Sequence, residues 1–201
     1  MIRLLALILL LAVPAAAQET RIVVPTLGIQ SHIAAPPWTN MIGAVSDSEI
    51  KRTEGSTQFG TQYVLYEYIP KGQDFDDWSE LYAIFAEAPL GGETALFRDG
   101  LIEGYADVCI DLVTLPVADE AEQQIFIIVC PAYRDDPSLG EISIMHYRTE
   151  ASTLVRNYYH RRGAAFDAGN RATWPMSDDD ISNVLNRLRQ FDISSDQLDG
   201  D

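Results

Sequence analysis

The sequence predicts an α+β domain, an antiparallel sheet of about four to six strands packed on two or three helices as a two-layer sandwich. Two observations predict it. Four runs rich in aliphatic, aromatic and β-branched residues lie between Val108 and Arg162, paired by segments short enough for hairpins, and hairpins make antiparallel neighbours. Helical patterns with one apolar stripe precede and follow those runs, and such a stripe has to be buried against a sheet. With 201 residues, 47% hydrophobic, no internal repeat and no long linker, the chain has the material for one core.

The elements follow in order from the amino end. Arg3 precedes the apolar run Leu4–Val13 and then Pro14-Ala15-Ala16-Ala17. These are the three parts of a cleavable secretory signal, so residues 1–17 are expected to be removed before Gln18, placing the mature chain in the periplasm or outside the cell. The run is shorter than the roughly 20 apolar residues a bilayer requires, and no later segment is a candidate span. Residues 18–57 read as mostly irregular, with Pro25, Gly28, Pro36, Pro37, Gly43 and Gly55 among small polar residues, around one strand at Arg21–Val24. The domain proper occupies residues 58–193. Gln62–Ile69, bounded by Gly60 and Pro70, is a strand. Asp74-Phe75-Asp76-Asp77-Trp78 reads as the cap and acidic first turn of a helix whose core stripe is Trp78, Leu81, Tyr82 and Phe85. A further helix over Glu93–Tyr105 rests on Phe97, Leu101 and Tyr105, against Gly100 and Gly104, each costing about 1 kcal/mol relative to Ala.

Val108–Leu115 and Gln124–Pro131 flank the acidic segment Ala118-Asp119-Glu120-Ala121, and pairing Val117 with Glu122 makes them a hairpin. That register sets Cys109 opposite Cys130, Asp111 beside Ile128, Val113 beside Phe126, Ile110 beside Val129 and Leu112 beside Ile127. Facing Cβ atoms are close to bridging distance, and two cysteines in an exported chain favour a Cys109–Cys130 disulfide. Glu141–Thr149 and Leu154–Arg162 form a second hairpin. With residues 150 and 153 paired, Tyr147 lies opposite Arg156 and Met145 opposite Tyr158. The period of two then puts Tyr147, Arg156, Tyr158, His160 and Arg162 on one side, a ribbon of aromatics and cations that is the candidate binding face. Ser177-Asp178-Asp179-Asp180 opens the last helix, with Ile181, Val184, Leu185 and Leu188 apolar and Met176 placed to staple onto Ile181. Ser194–Asp201 is expected to be a disordered acidic tail.

The segment Glu67-Tyr68-Ile69-Pro70-Lys71-Gly72-Gln73, followed by Trp78-Ser79-Glu80, resembles small exported bacterial proteins of unknown function. The resemblance implies export and transfers no activity.

Charge disfavours one class of partner. Without residues 1–17, 13 Lys and Arg stand against 30 Asp and Glu, a formal charge of −17, and that field repels nucleic acid. Arg148–Arg162 reverses it locally, with four of those cations and one acid, Glu150. A ribbon of Arg and Tyr suits an anionic or carbohydrate-bearing envelope component, or another periplasmic protein. His32 falls in a Pro-rich loop, while His146 and His160 fall on one hairpin without metal-ligand spacing. Neither a metal nor another cofactor is expected, since nucleophile elbow, phosphate loop, dinucleotide fingerprint and C-x-x-C pair are all missing from the sequence. Asp178–Asp180, like Asp74, Asp76 and Asp77, read as helix caps rather than calcium ligands. Two function classes follow. One is a non-enzymatic binding or envelope-assembly protein acting through its sheet face. The other is a hydrolase or transferase using His146 or His160 with a carboxylate such as Asp111.

Overall fold

The computed structural model describes residues 21–39, 46–90, 94–120 and 123–195. The expected signal at Met1–Ala17, Glu122 of the expected turn and residues 196–201 of the expected tail lie outside them. In chain order the elements are β1 (Arg21–Thr26), β2 (Ile29–Ala34), β3 (Ser48–Ser56), β4 (Gln62–Pro70), β5 (Glu80–Ala88), α1 (Thr94–Val108), β6 (Cys109–Ile110), β7 (Val113–Asp119), β8 (Gln123–Cys130), β9 (Ala132–Tyr133), β10 (Leu139–Glu150), β11 (Thr153–Ala164), α2 (Asp178–Leu188) and β12 (Asp192–Ser195). Seven strands form one antiparallel sheet in the order β3-β4-β5-β11-β10-β8-β7, three form a small sheet β1-β2-β12, and β6 pairs with β9.

The large sheet is covered on both faces. On one, Tyr82, Ile84, Ile144 and Val155 pack with Val24 and Ile33 of the small sheet and with Ile181, Val184 and Leu188 of α2. On the other, Phe126, Ile128, Met145 and Tyr147 pack with Phe97, Leu101 and Tyr105 of α1. The protein is therefore mainly β with three layers, which corrects the expected α+β two-layer sandwich of four to six strands on two or three helices.

The largest single cause is residues 74–88. Leu81–Ala86 form the middle of β5, which lies between β4 and β11, with Tyr82 turned to the α2 side and Leu81 and Ala83 to the opposite face. A strand buried on both faces shows an unbroken apolar run rather than alternation, and Ala, Leu and Glu favour a helix when packing is ignored. Asp74, Asp76 and Asp77 therefore cap no helix. The Asp76 N–H donates to Asp74 Oδ1 at 2.9 Å and the Asp77 N–H to the Asp74 carbonyl at 3.1 Å, which is an Asx-type turn.

Residues 18–57 hold more structure than expected. Leu27 and Gly28, at φ 52° and 83°, make the tight turn that joins β1 to β2. His32 lies on β2 rather than in a loop, its Nε2 3.2 Å from Ser194 Oγ on β12, so Ser194 belongs to a strand and not to the tail. The β7–β8 register also differs: Val113 faces Val129 and Leu115 faces Ile127, with an irregularity between Pro116 and Ala118. Asp111, at φ 54°, ends β6, and Cys109 pairs instead with Tyr133. The Cys109–Cys130 disulfide is nevertheless present, with Cα atoms 5.4 Å apart, and it ties the end of α1 to the end of β8.

Strand β4, helix α1, the β10–β11 hairpin and α2 fall where the sequence places them. Helix α2 opens on a capping box, in which Ser177 Oγ accepts from the Asp180 N–H and the Ser177 N–H donates to Asp180 Oδ2 at 3.0 Å. Ser177→Ala is expected to lower stability by about 1 kcal/mol, measured as a lower urea midpoint at unchanged slope.

Candidate functional site

The alternation of the β10–β11 hairpin decides which side chains meet. The register runs from Glu150↔Thr153 through Tyr147↔Arg156 and Met145↔Tyr158 to Ser143↔His160 and Glu141↔Arg162. Glu141, Ser143, Met145 and Tyr147 thus share the α1 side with Arg156, Tyr158, His160 and Arg162. The expected ribbon is one face, but much of it is covered. Tyr147 is fully buried. The Arg156 guanidinium lies 4.0 Å from the Phe85 ring centre and 5.7 Å from that of Tyr147, and its buried Nε has no partner among the described residues. Tyr158 is partly buried, and burial pushes its hydroxyl pKa up. His160 and Arg162 reach a cavity.

Beneath that cavity the side chains converge on Glu141, which is 3% exposed. Its Oε1 accepts from the Ser143 hydroxyl at 2.7 Å, the Tyr105 hydroxyl at 3.0 Å and His160 Nδ1 at 3.0 Å. Its Oε2 accepts from Arg162 Nε at 3.0 Å, and the Tyr133 hydroxyl adds a further bond. Burial alone pushes this carboxyl up. The charge and hydrogen bond of His160, with bonds from Ser143 and Tyr133, outweigh it and hold the carboxyl well below the usual range. Tyr105 is pushed well above its ordinary value, first by burial and then by the neighbouring carboxylate.

The network orients the imidazole. Ser143 gives its proton to Glu141, so its oxygen accepts from His160 Nδ1, 2.7 Å away. With both neighbours of Nδ1 acting as acceptors, Nδ1 carries the hydrogen and Nε2 is left free to act. Nε2 has no partner among the described residues and is not buried. The ring is held edge-on by Tyr158, with centres 5.0 Å apart, and lies 6.0 Å from Trp78.

The cavity has a volume of about 390 Å³. Trp78, Leu101 and Val108 wall it, and Glu141, His160 and Arg162 form its polar floor. Gly100 and Gly104 line it one helical turn apart on α1, and a Cβ at either would meet nothing within 4 Å. The missing side chains are part of what keeps the cavity open, at about 1 kcal/mol of helix stability each. The Arg162 guanidinium lies 3.8 Å from the centre of the Trp78 ring, and this stack forms a shared wall with a second cavity lined by Asp76 and Asp77.

Asp111 is exposed and pairs with neither histidine among the described residues. His146 faces the opposite side of the sheet, where its Nδ1 donates to the Leu188 carbonyl at 2.7 Å and its buried Nε2 has no partner among the described residues. Burial is the largest cause that lowers its pKa, to about 4, with Arg148 adding to it and the Leu188 bond opposing it. In the folded state His146 is thus neutral where the unfolded chain would be protonated. Its contribution is present above pH 6.5 and is lost as the pH falls toward 4, amounting to about 3 kcal/mol. His146→Asn, whose amide can keep the bond to Leu188, is expected to escape that loss. The gap in unfolding free energy between wild type and variant should narrow between pH 6.5 and pH 4, and a constant gap would show that His146 titrates normally.

Sequence reasoning missed Glu141 and Ser143, although the hairpin register it set, carried two pairs further, places them opposite Arg162 and His160. Trp78 and Tyr105 were assigned to core stripes and Tyr133 was not singled out; no local pattern brings these three to one place. Among the described residues no three His, Cys, Asp or Glu side chains are grouped to hold a metal ion, and no helix is long and apolar enough to cross a membrane. No protein-family model matches the chain, and neither a curated protein nor a solved structure matches it.

Proposed function

We propose that this chain is an exported, non-enzymatic binding protein that holds a small ligand in the cavity between α1 and the β10–β11 hairpin. The observation that carries the reading is the division of labour on the cavity floor. Glu141 is spent on internal partners, whereas His160 Nε2 and the Arg162 side chain line the space between apolar walls where a guest would sit. A volume of about 390 Å³ suits a small molecule, and such sites combine apolar lining with a few fixed polar groups. The signal-like segment Met1–Ala17 and the disulfide support export.

The test is to secrete the whole chain from a bacterial host and examine the envelope fraction by native mass spectrometry. The expected species begins at Gln18 and carries a small molecule that Gly104→Leu, a filling substitution in open space, excludes. Retained residues 1–17 would remove export, and equal retention of the molecule by the variant would remove the cavity.

A second reading is favoured by one observation, a carboxylate–imidazole pair whose Nε2 stays open: a hydrolase in which His160, oriented by Glu141, draws a proton from water. Ser143 is fully buried and bonded to Glu141, which leaves water as the nucleophile. Hydrolysis that survives His160→Gln would exclude this reading.

A further inference from the structure

We propose that the ligand of this cavity is a small organic monocarboxylate, its head bridging Arg162 and His160 and its apolar body lying along the glycine face of α1. This rests on the binding reading above and adds the chemical class.

The charge count on the cavity floor points to an anion. Glu141 supplies one negative charge, and Arg162, bonded to it through Nε, supplies one positive charge that balances it. His160 stands beside them, held by Glu141 and Ser143 with Nε2 available, and an anionic guest is met by its imidazolium form, whose Nδ1–H serves Glu141 and whose Nε2–H faces the guest. A guest bearing one negative charge leaves the filled site neutral, whereas a phosphate dianion would leave one charge buried without compensation. A neutral guest would leave the arginine fork unused.

Geometry points to a carboxylate. His160 and Arg162 are two apart on one side of β11, so their Cα atoms lie about 7 Å apart and their side chains can converge on the two oxygens of one head group. The Arg162 guanidinium, 3.8 Å from the Trp78 ring centre and bonded to Glu141 through Nε, is held in place for the paired contact Arg makes with carboxylates. Above that floor the walls are Trp78, Leu101 and Val108, with open space over Gly100 and Gly104 for an acyl or aryl body. The acidic surface does not forbid this. His160 and Arg162 lie within the stretch of chain where cations outnumber acids, and exposed charges beyond about 8 Å are largely screened at physiological salt.

The test is calorimetric titration of the mature, disulfide-intact chain with octanoate and with octanamide, which shares the tail and lacks the charge. Octanoate is expected to bind at least about tenfold more tightly, the effect of one charge-assisted paired contact. Gly104→Leu should abolish its binding, and Arg162→Gln, checked for fold by circular dichroism, should reduce octanoate to the level of octanamide. Should Arg162→Gln not fold, the octanoate-to-octanamide ratio and Gly104→Leu decide alone. Equal affinity for the two compounds would overturn the anion assignment while leaving the cavity as a binding site. Octanoate binding that Gly104→Leu leaves intact would place the anion elsewhere and overturn the proposal. Binding of neither compound would also overturn it, and the envelope mass measurement would still judge the binding reading separately.

Discussion

Replacing Glu141 by Ala is expected to lower the unfolding free energy by about 3–5 kcal/mol, the cost of removing one partner from a buried ionic cluster. The carboxylate accepts from Ser143, Tyr105, His160, Arg162 and Tyr133, so its loss strands several donors in the space between α1 and the sheet. The sign of the pH dependence identifies the cause. Folding holds this carboxyl below its ordinary value of 4.5, so its contribution is present above that pH and is lost as the pH falls below it. The deficit of Glu141→Ala should therefore be largest near neutrality and shrink under acid, in a window below the one set by His146. Urea unfolding of wild type and variant at several pH values checks this. A deficit under about 1 kcal/mol at neutral pH, the range of solvated surface pairs, would mean that water reaches the cluster.

Replacing Cys109 and Cys130 together by Ala is expected to cost about 3 kcal/mol, the loop-closure value for the separation of 21 residues. In a domain of this size that corresponds to a melting temperature lower by about 6–12 °C. The bond also holds the cavity together, because Val108 at the end of α1 precedes Cys109, and Tyr133 on β9 is the strand partner of Cys109. Hydrogen exchange in the last turn of α1 should accelerate more than in α2, which lies on the other face. Thiol titration of denatured, non-reduced wild type should find no free thiol; two free thiols would remove the premise.

Several elements were legible because each announces itself within a few residues. Ser177 with Asp180 marks a helix start by local hydrogen bonding, and Ile181, Val184 and Leu188 keep a helical period because α2 buries one stripe only. The β10–β11 register was legible for a similar reason, since a short turn fixes the pairing on both sides of it. That register carried His160 and Arg162 onto one face, and extended by two pairs it contains Glu141 and Ser143.

The sequence by itself therefore determined the hairpin and the last helix, which depend on neighbours close along the chain or on pairing across one turn, and the identity of the two linked cysteines, since the chain holds only two. Only the tertiary structure decided that Leu81–Ala86 is a strand, because burial on both faces erases the alternation that would distinguish it from a helix. It also decided the β7–β8 register, where the turn at Asp111 and the irregularity near Pro116 shift the pairing away from the one that faces the cysteines. The same holds for the cavity: Trp78, Gly104, Tyr105, Glu141 and His160 come from separate segments, and packing α1 on the sheet is what joins them. Burial on both faces of the sheet is the common physical reason. It suppresses the periodic signal in the sequence and encloses the polar cluster that the folded chain then has to satisfy.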